Sequence, residues 1–355
     1  SETTEDRKTS SGGPDDELRA GVWQLYDTLC DRFYLGRPDV AIRGRSWNTT
    51  LLMSMLTALG RGRALIIGEP GLGKTTSAEY VCATVFRLPL GVIWRAAVSG
   101  HPEQTEEKII ARPDLGALNQ GLERVIWSHF ALLPPKIVDE INRLPETKQS
   151  LILDGIDRGK WTYLNEAVVN REFCFFATAN YADQGTHTLV APLMDRFDIM
   201  IESKHPGANL AYRLGSETAS DDDLRHPGLE SEFERLLSSD IPHVELSSAL
   251  HKLCDRFGGF LQSRLGTQTP TADQRDMILQ GANRLPIDLD ANAFLRLVIC
   301  ELSFCYPYGQ KRSHEECEEG CHFTPYLCHA TRGSISNRFP ASVLKYARIL
   351  AWILD

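Results

Sequence analysis

The segment Gly68-Glu69-Pro70-Gly71-Leu72-Gly73-Lys74-Thr75 decides the fold. It matches the pattern G-x-x-x-x-G-K-[ST], follows the apolar run Ala64–Ile67 and precedes a helix-compatible stretch, Thr75–Phe86. Glycines at these positions let backbone N–H groups turn inward around a phosphate, and the N-terminus of the following helix adds its dipole. The alternative, a glycine-rich turn with a chance lysine, leaves the flanking strand and helix without a role.

This segment predicts ATP and Mg²⁺ as cofactors. Lys74 would bridge the β- and γ-phosphates, and the hydroxyl of Thr75 would hold the magnesium ion. The residues predicted to bind the nucleotide here are Gly68, Glu69, Pro70, Gly71, Leu72, Gly73, Lys74, Thr75 and Thr76.

The pattern around the segment predicts an α/β domain. Short apolar runs alternate with amphipathic segments, and strands that alternate with helices imply a parallel sheet with helices on both faces. After His205-Pro206 no further strand is predicted. The predicted strands are Ala64–Ile67, Gly91–Trp94, Ile137–Asp139, Cys174–Thr178 and Ile199–Ile201.

The rest of the chain predicts helices. Residues 17–60, 245–303 and 340–354 carry apolar side chains at helical spacing, whereas the polar stretch 207–230 is typical of a linker or a long loop. We therefore expect a disordered lead-in over residues 1–16, a nucleotide-binding α/β domain over 17–204 and an all-α domain over 205–355.

Two predicted strands end in polar residues that would meet at one edge of the sheet. Asp139 and Glu140 follow the run at Ile137, and Asn180 follows Ala179. Asp139 would complete the magnesium site, Glu140 would act as general base on the attacking water, and Asn180 would orient that water. Carboxylates at a strand end and an Asn cap after a strand are common in themselves, so these roles depend on the phosphate loop.

Two arginines are further candidates for contact with the phosphates. Arg196, in Leu193-Met194-Asp195-Arg196-Phe197-Asp198, would serve the nucleotide of a neighbouring subunit as a trans-acting finger. The alternative is a surface arginine paired with Asp195 or Asp198. Arg338, at the start of the last helix, would reach the phosphates from the second domain.

Composition narrows the class of protein. A formal net charge of −9 disfavours broad, nonspecific binding of nucleic acid. No apolar run approaches the roughly 20 residues of a membrane span, and the polar N-terminus lacks the apolar core of a signal peptide. Nine cysteines, an odd number, favour a reducing compartment, so we expect a cytoplasmic protein without a membrane partner.

Four cysteines close together predict a structural zinc site in an insertion over residues 305–329. Four thiolates bind Zn²⁺ tetrahedrally and would staple a loop that lacks its own core. The spacing departs from the paired C-x-x-C form, and unpaired cysteines beside surface histidines remain the alternative. The predicted ligands are Cys305, Cys317, Cys321 and Cys328.

These motifs resemble the MoxR family of AAA+ ATPases. The loop Gly68–Thr75 is similar to the family's G-x-P-G-x-G-K-T form, and Val138–Arg143 is similar to its extended D-E-I-N-R signature. The run from Ala177 through Phe197 resembles its sensor 1 and arginine-finger region. Gly333–Arg338 is similar to its sensor 2, with one additional residue between the second Ser and Arg. The resemblance covers residues 40–204 well and 205–355 loosely.

The resemblance implies a ring, usually a hexamer, that drives mechanical work. It implies a helix-2 insert at Thr105–Trp127 and a hairpin at Asp157–Arg171, both pointing into the pore, with Lys160, Trp161 and Tyr163 as candidates for contact with a partner. By the same analogy, Asn142 and Arg143 would couple the site to the next subunit. An ordinary solvent-exposed hairpin is the alternative.

The predicted function is therefore ATP hydrolysis that remodels a protein partner in a chaperone-like way. Family members often work with a partner that carries a von Willebrand A domain. A DNA-acting motor related to the MCM helicases is an alternative from another class, which the acidic composition disfavours. A nucleotide-switched scaffold without turnover is a third, disfavoured by the presence of Glu140.

Overall fold

The structure is a computed structural model, and it describes residues 13–34, 36–181, 189–216, 221–305, 309–310, 327–330 and 335–355. Its strands in this part of the chain are β1 (Val40–Ile42), β2 (Arg45–Trp47), β3 (Arg63–Ile67), β4 (Val98–Ser99), β5 (Ala111–Pro113), β6 (Val125–Trp127), β7 (Pro135–Asp139), β8 (Lys160–Tyr163), β9 (Glu166–Val169), β10 (Cys174–Ala179), β11 (Ile199–Glu202), β12 (Phe304–Cys305) and β13 (Gly309–Gln310).

Helices surround these strands and make up most of the C-terminal part. Two short 3₁₀ helices, Ile141–Arg143 and Asp221–Leu224, supplement them. The α-helices are α1 (Pro14–Arg32), α2 (Thr49–Leu59), α3 (Lys74–Val85), α4 (Leu90–Ala96), α5 (Glu106–Ile109), α6 (Leu115–Leu118), α7 (His129–Leu132), α8 (Glu146–Arg158), α9 (Ala191–Met194), α10 (Ala208–Ser216), α11 (Pro227–Leu237), α12 (His243–Leu265), α13 (Ala272–Arg284), α14 (Leu289–Ser303), α15 (Leu327–Ala330) and α16 (Arg338–Leu354).

The central sheet has five strands in the order β11-β3-β10-β7-β4. All four neighbouring pairs are parallel. Because the strands are parallel, their carboxyl ends meet at one edge, and the loops that follow β3, β7 and β10 converge there. The predicted α/β fold, a parallel sheet flanked by helices and followed by a helical part, is confirmed.

Both faces of the sheet are buried, because side chains alternate along each strand. On β3, Ala64 and Ile66 belong to a core shared with α1–α4 and with helices of the C-terminal part, whereas Leu65 belongs to a second core against α8 and the hairpins. On β10, Phe176 faces the first core and Phe175 the second. Nearly continuous apolar runs are typical of strands covered on both sides.

The predicted strand at Gly91–Trp94 is wrong, because this segment lies within α4. The edge strand of the sheet is the shorter β4, which follows at Val98. A buried apolar run of four residues fits a buried helix as well as a strand. Gly91 permits close packing of this helix on α11, since a Cβ there would lie 2.1 Å from a carboxylate oxygen of Glu230.

Two antiparallel hairpins extend from the α/β core. The segment predicted as a helix-2 insert contains β5, α6 and β6, and β5 pairs with β6. The hairpin predicted at Asp157–Arg171 is present as β8 and β9, which pair from Lys160–Val169 to Tyr163–Glu166.

The C-terminal part is mainly helical, as predicted, but the prediction of no strand after His205-Pro206 is wrong, because β12 and β13 form a short antiparallel pair there. The predicted linker over residues 207–230 is also wrong in its described part. Helix α10, the 3₁₀ helix Asp221–Leu224 and the start of α11 lie in this stretch. The polar composition is explained by exposure, since α10 has no buried residue. Helix α1 begins at Pro14, inside the predicted lead-in, whose residues 1–12 lie outside the described part.

The last helix returns to the N-terminal part of the chain. Arg19 Nε donates a hydrogen bond to Trp352 O at 2.9 Å, and Trp23 Nε1 donates one to Ile353 O at 2.7 Å. These donors satisfy carbonyl groups that the end of a helix leaves without partners. No described helix is long and apolar enough to cross a membrane.

Candidate functional site

The glycine-rich loop connects β3 to α3 at the carboxyl edge of the sheet. Gly73, directly before the helix, has φ 70°, a left-handed conformation that glycine adopts without strain. Lys74 is the first helical residue and is only 7% exposed. Its Nζ donates hydrogen bonds to Gly68 O at 2.9 Å, to Glu69 O at 2.7 Å and to Asn180 Oδ1 at 2.9 Å.

This lysine is suited to an anionic ligand. Its three hydrogen-bond partners are two backbone carbonyls and an amide oxygen, none of which carries a full charge. Burial lowers the pKa of Lys74, whereas the charges of Asp139, Glu140 and Glu69 act in the opposite direction. A phosphate in the loop would supply the negative charge that offsets the burial of the ammonium group.

Hydroxyl groups from two elements converge on one oxygen of Asp139. Thr75 Oγ1 donates to Asp139 Oδ1 at 2.6 Å, and Thr178 Oγ1, near the end of β10, donates to the same oxygen at 2.5 Å. A carboxylate and hydroxyl oxygens are ligands of the kind that Mg²⁺ takes in phosphate sites. Thr75 and Asp139 therefore fit a magnesium ion shared with a bound triphosphate.

Thr178 was not singled out by sequence reasoning. Besides its bond to Asp139, its Oγ1 accepts a hydrogen bond from Glu140 N at 2.9 Å, so it fixes both acidic residues. The signal in the sequence is a single hydroxyl residue within the otherwise apolar segment Cys174–Ala179, and the structure shows that this residue is fully buried.

Glu140 is held from two sides. Its Oε1 accepts a hydrogen bond from Asn180 Nδ2 at 2.7 Å, and its Oε2 lies 3.1 Å from Arg143 Nε. Its φ of 50° is unusual for a residue with a side chain and costs on the order of 1 kcal/mol or more. Such strain at the end of a buried strand is typical of functional sites.

Gly100 makes room for this backbone. Its N–H donates to Asp139 O at 2.6 Å, and a Cβ at this position would lie 1.9 Å from Glu140 O. The residue after β4 must therefore be glycine if the two acidic residues are to keep their present positions.

A cavity of about 480 Å³ lies beside the phosphate loop. Ser203, whose Oγ donates to Leu72 O at 3.0 Å, leads directly into its wall at Lys204 and His205. The cavity occupies the region where the fold suggests a nucleoside pocket, near Val40 and Ala41.

The structure places the two predicted arginines in a separate cluster. Arg196 Nε lies 2.7 Å from Asp157 Oδ1 and its Nη1 lies 3.4 Å from Asp195 Oδ2. Arg338 contacts the same two carboxylates, at 3.4 Å and 2.7 Å respectively. The pairing that we considered as the alternative for Arg196 is thus partly present, with Asp157 as the nearer acid.

This arginine cluster lies at the edge of the sheet opposite the phosphate loop. Arg63, the first residue of β3, donates from Nη2 to Asp157 O at 3.4 Å, and its N–H donates to Asp198 Oδ2 at 2.9 Å. Gly68 follows the other end of the same strand, about 16 Å from Arg63 at ~3.3 Å per residue. Arg338 is therefore not beside the phosphate loop of its own chain.

The hairpin residues differ in their exposure. Trp161 is 1% exposed, and its ring lies 5.3 Å from that of Phe130 in an edge-to-face arrangement. The suggestion that Trp161 contacts a partner is therefore wrong, because alternation along β8 turns its side chain into the core. Lys160 is exposed and Tyr163 is half-buried.

The zinc site stays a prediction. Cys317 and Cys321 lie outside the described residues, Cys305 is buried on β12, and Cys328 is half-buried on α15. Within the described part of the chain no group of three or more His, Cys, Asp or Glu side chains is arranged to hold a metal ion.

Comparisons with known proteins give likenesses to solved structures. Neither a protein-family model nor a curated protein matches this sequence. Among solved structures, the chain is similar to a proposed ATPase from Cytophaga hutchinsonii, with 14% identity and a TM-score of 0.44. The match covers 80% of this chain and 93% of that one.

The parallel sheet and the glycine-rich loop between β3 and α3 have the arrangement of a P-loop nucleotide-binding fold. Hydrogen bonds join Asn180 to both Lys74 and Glu140, and Thr75 to Asp139. Thr178 links these two groups, because it accepts from Glu140 N and donates to Asp139. Their individual roles in binding and catalysis stay predictions.

Proposed function

We propose that this protein is an ATPase that works as a subunit of a ring and remodels a protein partner. The observation that carries the proposal is the position of Arg196 and Arg338 at the sheet edge opposite Lys74. In a single chain these arginines are too far from the phosphates to act on them. In a ring, one subunit would present them to the nucleotide of the next.

The residues at the carboxyl edge would perform the chemistry. Lys74 and the backbone of the phosphate loop would bind the triphosphate, and Thr75 and Asp139 would hold the magnesium ion, which would neutralise phosphate charge. Glu140 would accept a proton from the attacking water, and Asn180, bonded to both Lys74 and Glu140, would fix the position of that water.

The neighbouring subunit would complete the site. Arg196 and Arg338 carry delocalised charge that suits the equatorial oxygens of the transferred phosphoryl group. In the isolated chain Asp157 and Asp195 neutralise both guanidinium groups. The resemblance to the MoxR family supports six subunits, and it also supports a protein substrate or a partner with a von Willebrand A domain.

Mixing two inactive variants tests the ring arrangement. Glu140→Gln removes the general base but keeps Arg196, whereas Arg196→Ala keeps the base. In a mixed ring, some nucleotides lie between an intact Glu140 and an intact Arg196 from different subunits, so we expect ATP hydrolysis to recover on mixing.

The controls are each variant alone and a mixture of Glu140→Gln with Arg284→Ala, an exposed arginine on α13. If Arg196 acts within its own chain, the first mixture stays inactive, and the proposed ring mechanism is wrong.

A further inference from the structure

Asn142 joins the ends of two strands at the candidate site. It lies in the short 3₁₀ helix Ile141–Arg143, two residues after Glu140, and is 6% exposed. Its Nδ2 donates a hydrogen bond to Asn180 O, directly after β10, at 3.2 Å. Asn142 therefore holds the main chain of the residue whose side chain is proposed to orient the attacking water.

Asn180 is attached to the acidic segment at two points. Its own Nδ2 donates to Glu140 Oε1 at 2.7 Å, and its O accepts from Asn142. The first bond fixes one atom of the Asn180 side chain, whereas the second fixes the backbone from which that side chain extends. Side chains that must keep a fixed geometry for catalysis depend on supporting hydrogen bonds of this kind.

The strained turn at Glu140 brings Asn142 to this position. If the chain continued beyond Asp139 as an extended strand, residue 142 would lie about 10 Å further on, at ~3.3 Å per residue. The φ of 50° at Glu140 instead turns the chain into the 3₁₀ helix, and the buried side chain of Ile141 anchors that helix in the core. The turn thus places Asn142 beside the end of β10.

The stability of the isolated chain does not explain the amide of Asn142. Its Oδ1 is buried and has no hydrogen-bond partner among the residues that the structure describes. A buried acceptor without a donor lowers stability, and an apolar side chain of similar shape would avoid this cost. The bond from Nδ2 to Asn180 O is the contact that such a side chain could not make.

We propose that Asn142 is a positioning residue for ATP hydrolysis and acts through Asn180 of its own chain. This inference rests on the proposed function. It differs from the coupling to the next subunit that the family resemblance implies for Asn142, because the bond to Asn180 lies within one chain. Loss of this bond should let the Asn180 amide move relative to Glu140, while the phosphate loop and the magnesium ligands stay intact.

The kinetics of Asn142→Ala test the proposal. We expect kcat for ATP hydrolysis to fall about 10–100-fold, because a small misplacement of an orienting group can cost up to about 10²-fold. The affinity for Mg·ATP, measured by calorimetry, should stay unchanged. A fall in kcat at constant affinity is the result that a merely structural role would not give.

Asn170 offers a matched control. It is 9% exposed, its Nδ2 donates to Leu132 O at 3.3 Å, and its Oδ1 also has no hydrogen-bond partner in the described part of the chain. Leu132 precedes β7, so this asparagine lies at the sheet edge opposite the phosphate loop. Asn170→Ala should change thermal stability about as much as Asn142→Ala does, with kcat equal to that of the wild type.

A second variant covers the case in which Asn142→Ala is less stable than this control. Asn142→Leu keeps a branched side chain but lacks the amide, so it fills the space and removes the buried acceptor. It should fold at least as stably as Asn142→Ala and show the same fall in kcat.

A double-mutant cycle with Asn180→Ala tests whether Asn142 acts through Asn180. If it does, Asn142→Ala should lower kcat in the wild-type background but have no further effect in the Asn180→Ala background. Effects that multiply would show that the two residues act independently. That result, or an unchanged kcat in both Asn142 variants, would overturn the proposal.

Mixed rings test whether Asn142 acts in its own chain or on the neighbouring subunit. When Glu140→Gln and Arg196→Ala are mixed, the sites that hydrolyse ATP use Glu140 of the Arg196→Ala chain. Adding Asn142→Ala to that chain should therefore lower the recovered hydrolysis about 10–100-fold, and adding it to the Glu140→Gln chain should leave the recovery unchanged. The reverse result would assign Asn142 to the next subunit and overturn the proposal.

Failure of the inference and failure of the proposed function give different results. The cycle with Asn180→Ala uses unmixed protein, so it decides the role of Asn142 even if mixing Glu140→Gln with Arg196→Ala restores no hydrolysis. In that case the ring mechanism is wrong and the role of Asn142 stands on the cycle. A wild type that hydrolyses no ATP would refute the proposed function and this inference together.

Discussion

Glu140 is the residue on which the proposed chemistry depends most directly. Its neighbours Asn180 and Arg143 restrain both carboxylate oxygens, and its backbone is strained. The acidic pair and Asn180 could be predicted from sequence, because polar residues that follow adjacent parallel strands meet at one edge. Thr178 could not be assigned in this way, because its contact with Asp139 depends on the register between β10 and β7.

Replacing Glu140 by glutamine should separate binding from hydrolysis. The amide keeps the shape of the side chain but cannot accept the proton, so we expect kcat to fall by about 10²–10⁴. Nucleotide affinity, measured by calorimetry with Mg·ATP, should change less than about threefold because Lys74 and Asp139 are intact. The control is Asp154→Asn, an exposed carboxylate on α8. Equal losses in affinity and kcat would contradict the role of Glu140 as a base.

Glu79, on the helix after the phosphate loop, should make stability depend on pH. Burial raises its pKa from 4.5 to about 7; a hydrogen bond with Trp94 acts in the opposite direction, and the charges of Asp139 and Asp221 add to the rise. The folded protein therefore binds more protons than the unfolded chain between these values, so this contribution to stability is present below about pH 4.5 and is lost as pH rises through 7.

Urea unfolding of the wild type and of Glu79→Gln at pH 5 and pH 8 measures this effect. Glutamine cannot ionise. The free energy of unfolding of Glu79→Gln, compared with that of the wild type, should therefore rise from pH 5 to pH 8 by up to about 3 kcal/mol. Parallel stability changes in the two proteins would show that Glu79 ionises normally.

At the scale of elements, periodicity and length decided which predictions succeeded. Helix α3 and strands β3, β7 and β10 could be predicted, because each adjoins the glycine-rich loop or polar residues that mark its boundary. Gly91–Trp94 could not, because three consecutive buried residues, Gly91, Val92 and Ile93, fit a short helix as well as a strand, and only Trp94 is exposed. Helix α10 was missed because it lies in a polar stretch rich in Asp, Ser and Gly, and none of its residues is buried.

A single added methyl group should destabilise the contact between α8 and the β8–β9 hairpin. A Cβ at Gly155 would lie 2.2 Å from the Trp161 ring, so Gly155→Ala should lower the free energy of unfolding by about 1–3 kcal/mol and change the near-UV spectrum of the tryptophan.

The matched control is Gly259→Ala on α12. A Cβ there meets no atom within 4 Å, so the same substitution should raise stability by about 0.5–1 kcal/mol through helix propensity. A similar sign for both variants would show that Trp161 does not pack against Gly155.

At the scale of the whole molecule, the helical part and the α/β core are joined by a buried ion pair. Arg275 on α13 is 5% exposed, and it contacts both carboxylate oxygens of Glu172, at 2.6 Å and 3.0 Å. Its Nη1 also donates to Val85 O, at the end of α3, at 2.8 Å. Sequence reasoning could not find this pair, because its residues lie 103 positions apart and neither belongs to a motif.

A double-mutant cycle tests whether this pair joins the two parts. Arg275→Met leaves Glu172 partly buried without its partner, so we expect the free energy of unfolding to fall by about 3–5 kcal/mol. Adding Glu172→Gln removes the unpaired charge, and the double variant should therefore be more stable than Arg275→Met alone.

The control for this cycle is Arg256→Met, which breaks a fully exposed pair with Glu232 and should leave the free energy of unfolding nearly unchanged. If the pair joins the helical part to the core, Arg275→Met should also lower the cooperativity of unfolding, because α13 could then separate while the sheet stays folded. If the effects of Arg275→Met and Glu172→Gln on the free energy of unfolding are additive, and unfolding stays a single transition of unchanged cooperativity, the apolar core alone holds the two parts together.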